Sequence, residues 1–169
     1  MLDEKKRSKK DLVSELAALR LKIADLERYK VMYEQTLEDL TGKKREYRTI
    51  FDFVPARIMY FNPEGKVLRA NKAIAKIIGL APVDIIGKYL HDFFQPEEAA
   101  RRFKEHREIM ESGNARFGAI EQIAGYKGKS RWLRVDKIPY RDKKGNIIGI
   151  IVFAVDITDQ KKTEEDLAE

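Results

Sequence analysis

The sequence predicts an α+β fold: an antiparallel sheet with helices packed on one face, preceded by one long helix. Three observations predict it. The segment order after residue 56 is strand, strand, three helical pieces, then three strands. Residues 9–46 carry apolar side chains at alternating steps of four and three. The last strand is apolar on both of its faces, so both faces need a cover.

Taken in order, Leu12, Leu16, Leu19, Ile23, Leu26, Tyr33, Leu37 and Leu40 form the heptad stripe, with Lys30 in the one missing place. Leu16, Ile23, Lys30 and Leu37 are a positions; Leu12, Leu19, Leu26, Tyr33 and Leu40 are d positions. Glu15–Arg20 and Lys22–Glu27 are then attractive g-to-e pairs, as a parallel coiled-coil dimer requires. The alternative is a single long helix whose stripe packs on its own domain. Gly42 weakens the helix, and the phase resumes at Tyr47 and Phe51 in "EYRTIFDFVP", which Pro55 stops. The expected divisions are 1–45 for the coiled coil, 46–158 for the domain, and 159–169 for the start of a further helix.

"RIMYF" and "KVLRA" read as strands joined by the turn "NPEG". Asn71 caps "KAIAKII", and Gly79 ends it. "APVDIIG" is a short helix between proline and glycine. Pro96, with Glu97 and Glu98 in the first turn, opens an amphipathic helix whose stripe is Ala99, Phe103 and Met110 and which Gly113 ends. "ARFGAIEQIA", "SRWLRVDKIPY" and "NIIGIIVFAVDI" are the remaining strands, linked by "GYKG" and "RDKKGN". On the last of them Ile148, Ile150, Val152 and Ala154 face one way, and Ile147, Ile151, Phe153 and Val155 the other. The 46–54 helix, from this chain or a second copy, is the spare element that could cover the second face.

Composition removes several functions. The chain has no cysteine, which excludes disulfides, thiolate catalysis and cysteine-ligated metals and fits a cytoplasmic address. Its longest apolar run, "IIGIIVFAV", is too short to span a membrane, and "MLDEKKRSKKDLV" lacks the apolar core of a signal peptide. The net charge of +6 could suit nucleic acid. The lysines and arginines mostly alternate with acids, however, and "KKRSKK" is too short a basic region, without asparagine, to read a major groove. No phosphate-binding glycine loop or nucleophilic triad occurs, so no enzymatic activity is expected in this chain.

The segments "FNPEGKVLRANKAIAKIIGLAPVDIIGKYLHDFFQPE" and "SRWLRVDKIPYRDKKGNIIGIIVFAVDIT", with the trailing "DQKKTEEDL", resemble the PAS family of sensory domains, including its PAC-type C-terminal part. The resemblance covers about residues 46–160. It implies a five-stranded antiparallel sheet and a signal-input and homodimerisation module of a longer protein, a sensor histidine kinase or a diguanylate cyclase in a two-component type of system. A ligand-free domain that only mediates assembly is the alternative. The cofactor is not identified. Cysteine-linked flavins and chromophores are excluded, and haem is disfavoured because Arg102 stands where the family places its histidine. His106, one turn later, is expected to be a partly exposed helix residue, and His91 a capping or surface one. A small-molecule ligand, if bound, is expected near Phe94, Phe103, Met110 and Phe117, where Gly113, Gly118, Gly125 and Gly128 loosen the packing. The family pattern pairs the aspartate of a "DIT" ending with a basic residue of a tryptophan-x-arginine strand. That implies an Arg134–Asp156 clamp beside Trp132, with Thr158 or Asp159 capping the helix that follows and carrying the signal onward. Leu12 to Leu40 of the stripe, with Tyr47 and Phe51, are the expected dimer interface.

Overall fold

The structure is a computed structural model and describes residues 8–124 and 130–168. The "GYKG" turn and the first half of "KKRSKK" lie outside the described residues. The chain divides into two units, residues 1–48 and 49–169. Helix α1 (Lys9–Phe53) starts with a reciprocal cap that the heptad reading did not include. Asp11 N donates to Ser8 Oγ at 3.2 Å while Ser8 N donates to Asp11 Oδ2 at 3.1 Å, satisfying two otherwise orphaned donors. Gly42 lies inside this helix and not at a break, since its cost of about 1 kcal/mol is small against an otherwise good helix sequence. From Leu12 to Leu40 every heptad side chain except Lys30 is a large hydrophobic at least half exposed in the single chain.

In the second unit five antiparallel strands form one sheet in the order β2-β1-β5-β4-β3. They are β1 (Arg57–Phe61), β2 (Val67–Ala70), β3 (Arg116–Ala124), β4 (Ser130–Arg141) and β5 (Ile147–Asp156). Helices α2 (Lys72–Ile78), α3 (Pro82–Ile85) and α4 (Pro96–Ser112), with a 3₁₀ turn at Leu90–Asp92, lie between β2 and β3 in the chain. The core joins Phe61, Val67 and Ile150 of the sheet to Ala75, Ile85, Leu90 and Ile109 of the helices.

Asn71 is fully buried because all its polar atoms are used. Its Oδ1 accepts from Ile74 N, capping α2, and from Ile58 N at 3.0 Å; its Nδ2 donates to the carbonyls of Phe51 and Ala56 at 2.9 and 2.8 Å. One side chain thus fixes the end of α1 and the entry to β1 against α2. On the opposite sheet face the Phe51 ring meets Tyr60 edge-on at 6.0 Å, and Tyr60 meets Tyr140 at 5.4 Å. Ile58, Ile151, Phe153 and Val155 beside them remain half-buried.

Gly149 of β5 passes so close to β1 that a Cβ would run into the Phe61 carbonyl oxygen, which is backbone and cannot turn aside. Gly149→Ala is therefore expected to lower stability by about 2 kcal/mol, read as a lower urea midpoint with unchanged slope.

Candidate functional site

The end of β5 is held by two strands at once. Leu133 of β4 lies directly opposite Asp156, and Ala154 lies opposite Arg57 of β1. Side chains alternate along a strand, so Asp156, Arg57 and Arg131 all point to the helix-covered face. Arg57 Nη2 and Arg131 Nη1 donate to Asp156 Oδ2 at 3.0 and 2.7 Å. The other carboxylate oxygen, Oδ1, accepts from Thr158 Oγ1 at 2.6 Å and from Thr158 N at 3.1 Å. The Thr158 hydroxyl in turn accepts from Trp132 N at 3.0 Å, and Ile157 N donates to Trp132 O at 2.9 Å. Helix α5 (Thr158–Ala168) starts at this point. Partial burial pushes the Asp156 carboxyl up, but the Thr158 hydroxyl, Arg131 and Arg57 outweigh it and hold it below the usual carboxylate range.

This geometry corrects the expected clamp. Arg134 lies opposite Val155, on the other face of the sheet from Asp156, and is exposed. Arg57, 9 % exposed, and Arg131, 44 % exposed, are the partners instead. The strand pairing, which no single segment reveals, decides which arginine faces the aspartate. Trp132 contributes its backbone to the junction. The first N–H of α5 is satisfied by Asp156, not by a side chain of Thr158 or Asp159.

Inside the domain, α4 faces the sheet with charged residues. Arg102, His106 and Ile109 are buried along with Ala99, at helical spacing, while Phe103 and Met110 of the expected stripe are half-buried. Lys137 of β4, 1 % exposed, donates to Glu105 Oε2 at 2.5 Å and to Glu121 Oε1 of β3 at 3.2 Å. Arg102 is bonded to Glu98 Oε1 through Nε and Nη2 at 3.0 and 2.8 Å and lies over the Phe94 ring at 4.6 Å. It also stands 3.1 Å from Glu121 Oε2, an ion-pair distance without hydrogen-bond alignment. Arg116 of β3 closes the outer side on Glu105 Oε1 at 2.6 Å.

His106 is not a partly exposed helix residue. It is 3 % exposed, tilted against the Phe61 ring at 5.1 Å, and its Nδ1 has no hydrogen-bond partner. Burial, then the neighbouring Lys137 and Arg102, pull its pKa down to about 3 against the opposing pull of Glu105, so the ring is neutral.

Of the four expected pocket residues, Phe94, Phe103 and Met110 each pack against the main core. Phe117 does not join them. It sits on a bulge between Arg116 and Ala119, 68 % exposed, where Gly118 takes a φ of 68° and gives its N–H to Asp136 Oδ1 at 2.7 Å. The extra residue in β3 turns Phe117 out of the alternation. His91 is exposed, stacked on Tyr89 at 5.4 Å. Among the described residues no group of three or more histidine, cysteine, aspartate or glutamate side chains could hold a metal ion, and no helix is long and apolar enough to cross a membrane.

Compared with known families, residues 51–162 match the one described as the PAS fold. The methanogenesis regulatory histidine kinase FilI of Methanothrix harundinacea is 28 % identical over 154 residues, which are 91 % of this chain and 17 % of FilI. The chain thus spans about a sixth of that relative's length. Among solved structures, the VqmA dimer of Vibrio cholerae is 26 % identical with a TM-score of 0.62, over 68 % of this chain and 52 % of that one. The PAS domain of BvgS from Bordetella pertussis is 25 % identical with a TM-score of 0.57, over 78 % of this chain and 97 % of that one.

Proposed function

Because the chain belongs to the PAS fold family, we propose that it is the signal-input and homodimerisation module of a larger signal-transduction protein, a sensor histidine kinase or a diguanylate cyclase. The observation that carries this reading is the junction at Asp156. One carboxylate ties β1, β4 and the first residue of α5 together, so a displacement between those strands alters where and how the helix begins. Charge-assisted hydrogen bonds of this kind are directional, which makes the helix start sensitive to small strand movements. Asp156, Thr158, Arg57, Arg131 and the Trp132 backbone are the transmitting groups. The similarity to a histidine kinase along most of this chain, and the shorter share of that relative it occupies, support an effector that follows in a longer polypeptide.

Homodimerisation rests on the long α1 stripe, whose apolar side chains stand exposed in the single chain. A solvated stripe of that length is stable only with a partner helix. Sedimentation equilibrium at tens of micromolar is expected to give twice the 19.7 kDa chain mass. A monomer would reject the reading. Deleting residues 1–41 should weaken the dimer and leave the sheet domain folded.

A ligand-free assembly domain is the second reading, favoured by the paired charges of Lys137, Glu105, Glu121 and Arg102 between α4 and the sheet. Native mass spectrometry of freshly purified protein separates the two readings by whether a small molecule travels with the chain.

A further inference from the structure

The attachment of α4 to the β3–β4 side of the sheet has an unusual chemistry. Apolar contacts dominate where α4 meets β1 and β5, through Phe61, Ile109 and Ile150. Toward β3 and β4 the contact is ionic: Lys137 with Glu105 and Glu121, Arg102 with Glu98 and Glu121, Arg116 with Glu105. Three cations and three carboxylates balance. His106 sits in the same layer, buried and without a partner for Nδ1. The groups facing it are Arg102 and Glu105 of its own helix, Lys137 of β4 and the uncharged Phe61 ring of β1, with Glu121 and Arg116 of β3 completing the cluster.

A proton on His106 would add a fourth cation to a set in which every carboxylate already faces a cation. A charge buried without a partner is costly, and the structure can avoid it only by exposing the ring to water. Exposure requires α4 to leave the edge of the sheet. On the β1 and β5 side the titrating group is His106 itself, through its contact with the Phe61 ring. The Ile109 and Ile150 contacts carry none, so acid does not act on them directly.

We propose that the α4–β3–β4 charge cluster is an acid-sensitive latch, in which protonation of His106 releases α4 from β3 and β4 while the β1–β5 part of the sheet stays folded. The proposal rests on the signal-input reading and gives it an input, the proton. Strand β4 carries Lys137 in the latch and Arg131 at the Asp156 junction, so release changes the strand that holds the start of α5.

The sign follows from linkage. In the latched state the His106 pKa lies near 3, and in the released state it returns to about 6.5. Above 6.5 neither state takes up the proton and the latch is at full strength. As pH falls below 6.5 only the released state binds it, so the opening constant rises about tenfold per pH unit. Glu105 does not compete in this window: burial raises its carboxyl, but Lys137 and Arg116 outweigh that and keep it below the usual range.

Amide hydrogen exchange of the full chain between pH 7 and pH 5 tests this. The expected result is a loss of protection along residues 97–112, about tenfold per pH unit below 6.5, with β1 and β5 unchanged, and no such loss in His106→Gln. In the wild type, the His106 ring resonances should titrate together with the loss of α4 protection, which keeps the test decisive if the variant does not fold. The proposal is overturned if α4 protection is flat across the range or if β1 and β5 lose protection in parallel. It is equally overturned if His106→Gln keeps the slope, or if His106 titrates near 6.5 with α4 still protected. None of these outcomes touches the Asp156 junction, so the signal-input reading is tested separately.

Discussion

Lys137→Ala is expected to cost about 3–5 kcal/mol at pH 7, the usual consequence of removing one partner from a buried ion pair. The ammonium is 1 % exposed, and the carboxylates it serves are 15 and 14 % exposed, so water replaces little of what is lost. Glu105 keeps Arg116 and Glu121 keeps Arg102, which places the loss within that range and not above it. For a domain stable by 5–15 kcal/mol this is a large fraction of the whole. The pH dependence has a definite sign. Without Lys137, Glu105 keeps Arg116 but loses its strongest lowering partner, so its folded pKa rises from the wild-type value. In the wild type the Lys137-dependent stability is present above the ordinary glutamate pKa and is lost as pH falls below it. The deficit against wild type should therefore hold from pH 7 to pH 5 and shrink below about pH 4.5. Urea unfolding above and below that pH measures it. Lys137→Met combined with Glu121→Gln should recover part of the loss, because it removes charge from both sides.

Asp156→Ala is expected to cost about 2 kcal/mol, less than Lys137→Ala because the carboxylate is 29 % exposed and Arg131 is 44 % exposed. The loss combines the half-buried pair with Arg57 and the hydrogen bond to the first N–H of α5. Arg57→Ala should cost less alone, and the double variant less than the sum, since both changes remove the same bond. Arg134→Ala should change stability by less than about 0.5 kcal/mol, as for other surface positions, and add to Asp156→Ala without coupling. In a protein that continues past residue 169, Asp156→Ala should alter signal-dependent output.

The fold was legible because each element carries its own local marker. Asn71 and Gly79 bracket α2, Pro96 and Gly113 bracket α4, and the alternation of β5 shows two apolar faces. The site was legible only in part. Asp156, Thr158 and Trp132 meet where a resemblance to PAS domains suggested, yet the arginine partners depend on strand register, and Arg57 comes from the far end of the sheet domain's sequence. On α4 the apolar stripe pointed at Phe103 and Met110, whereas Arg102 and His106 go deeper. Periodicity of hydrophobic residues cannot reveal an inward face made of charges whose partners, Glu121 and Lys137, arrive from other strands. Phe117 was misplaced for a similar reason: a bulge shifts alternation by one residue, and Gly118 was its only local trace.

Through Asp156, the start of α5 should respond to a change on β1. Amide exchange at Ile157, Thr158 and Lys161 in Arg57→Ala measures this, because Asp156 links Arg57 to the first residue of α5. The account predicts faster exchange at these three amides than in wild type, with the β4–β5 amides unchanged. Exchange at Ile157, Thr158 and Lys161 identical to wild type would contradict it.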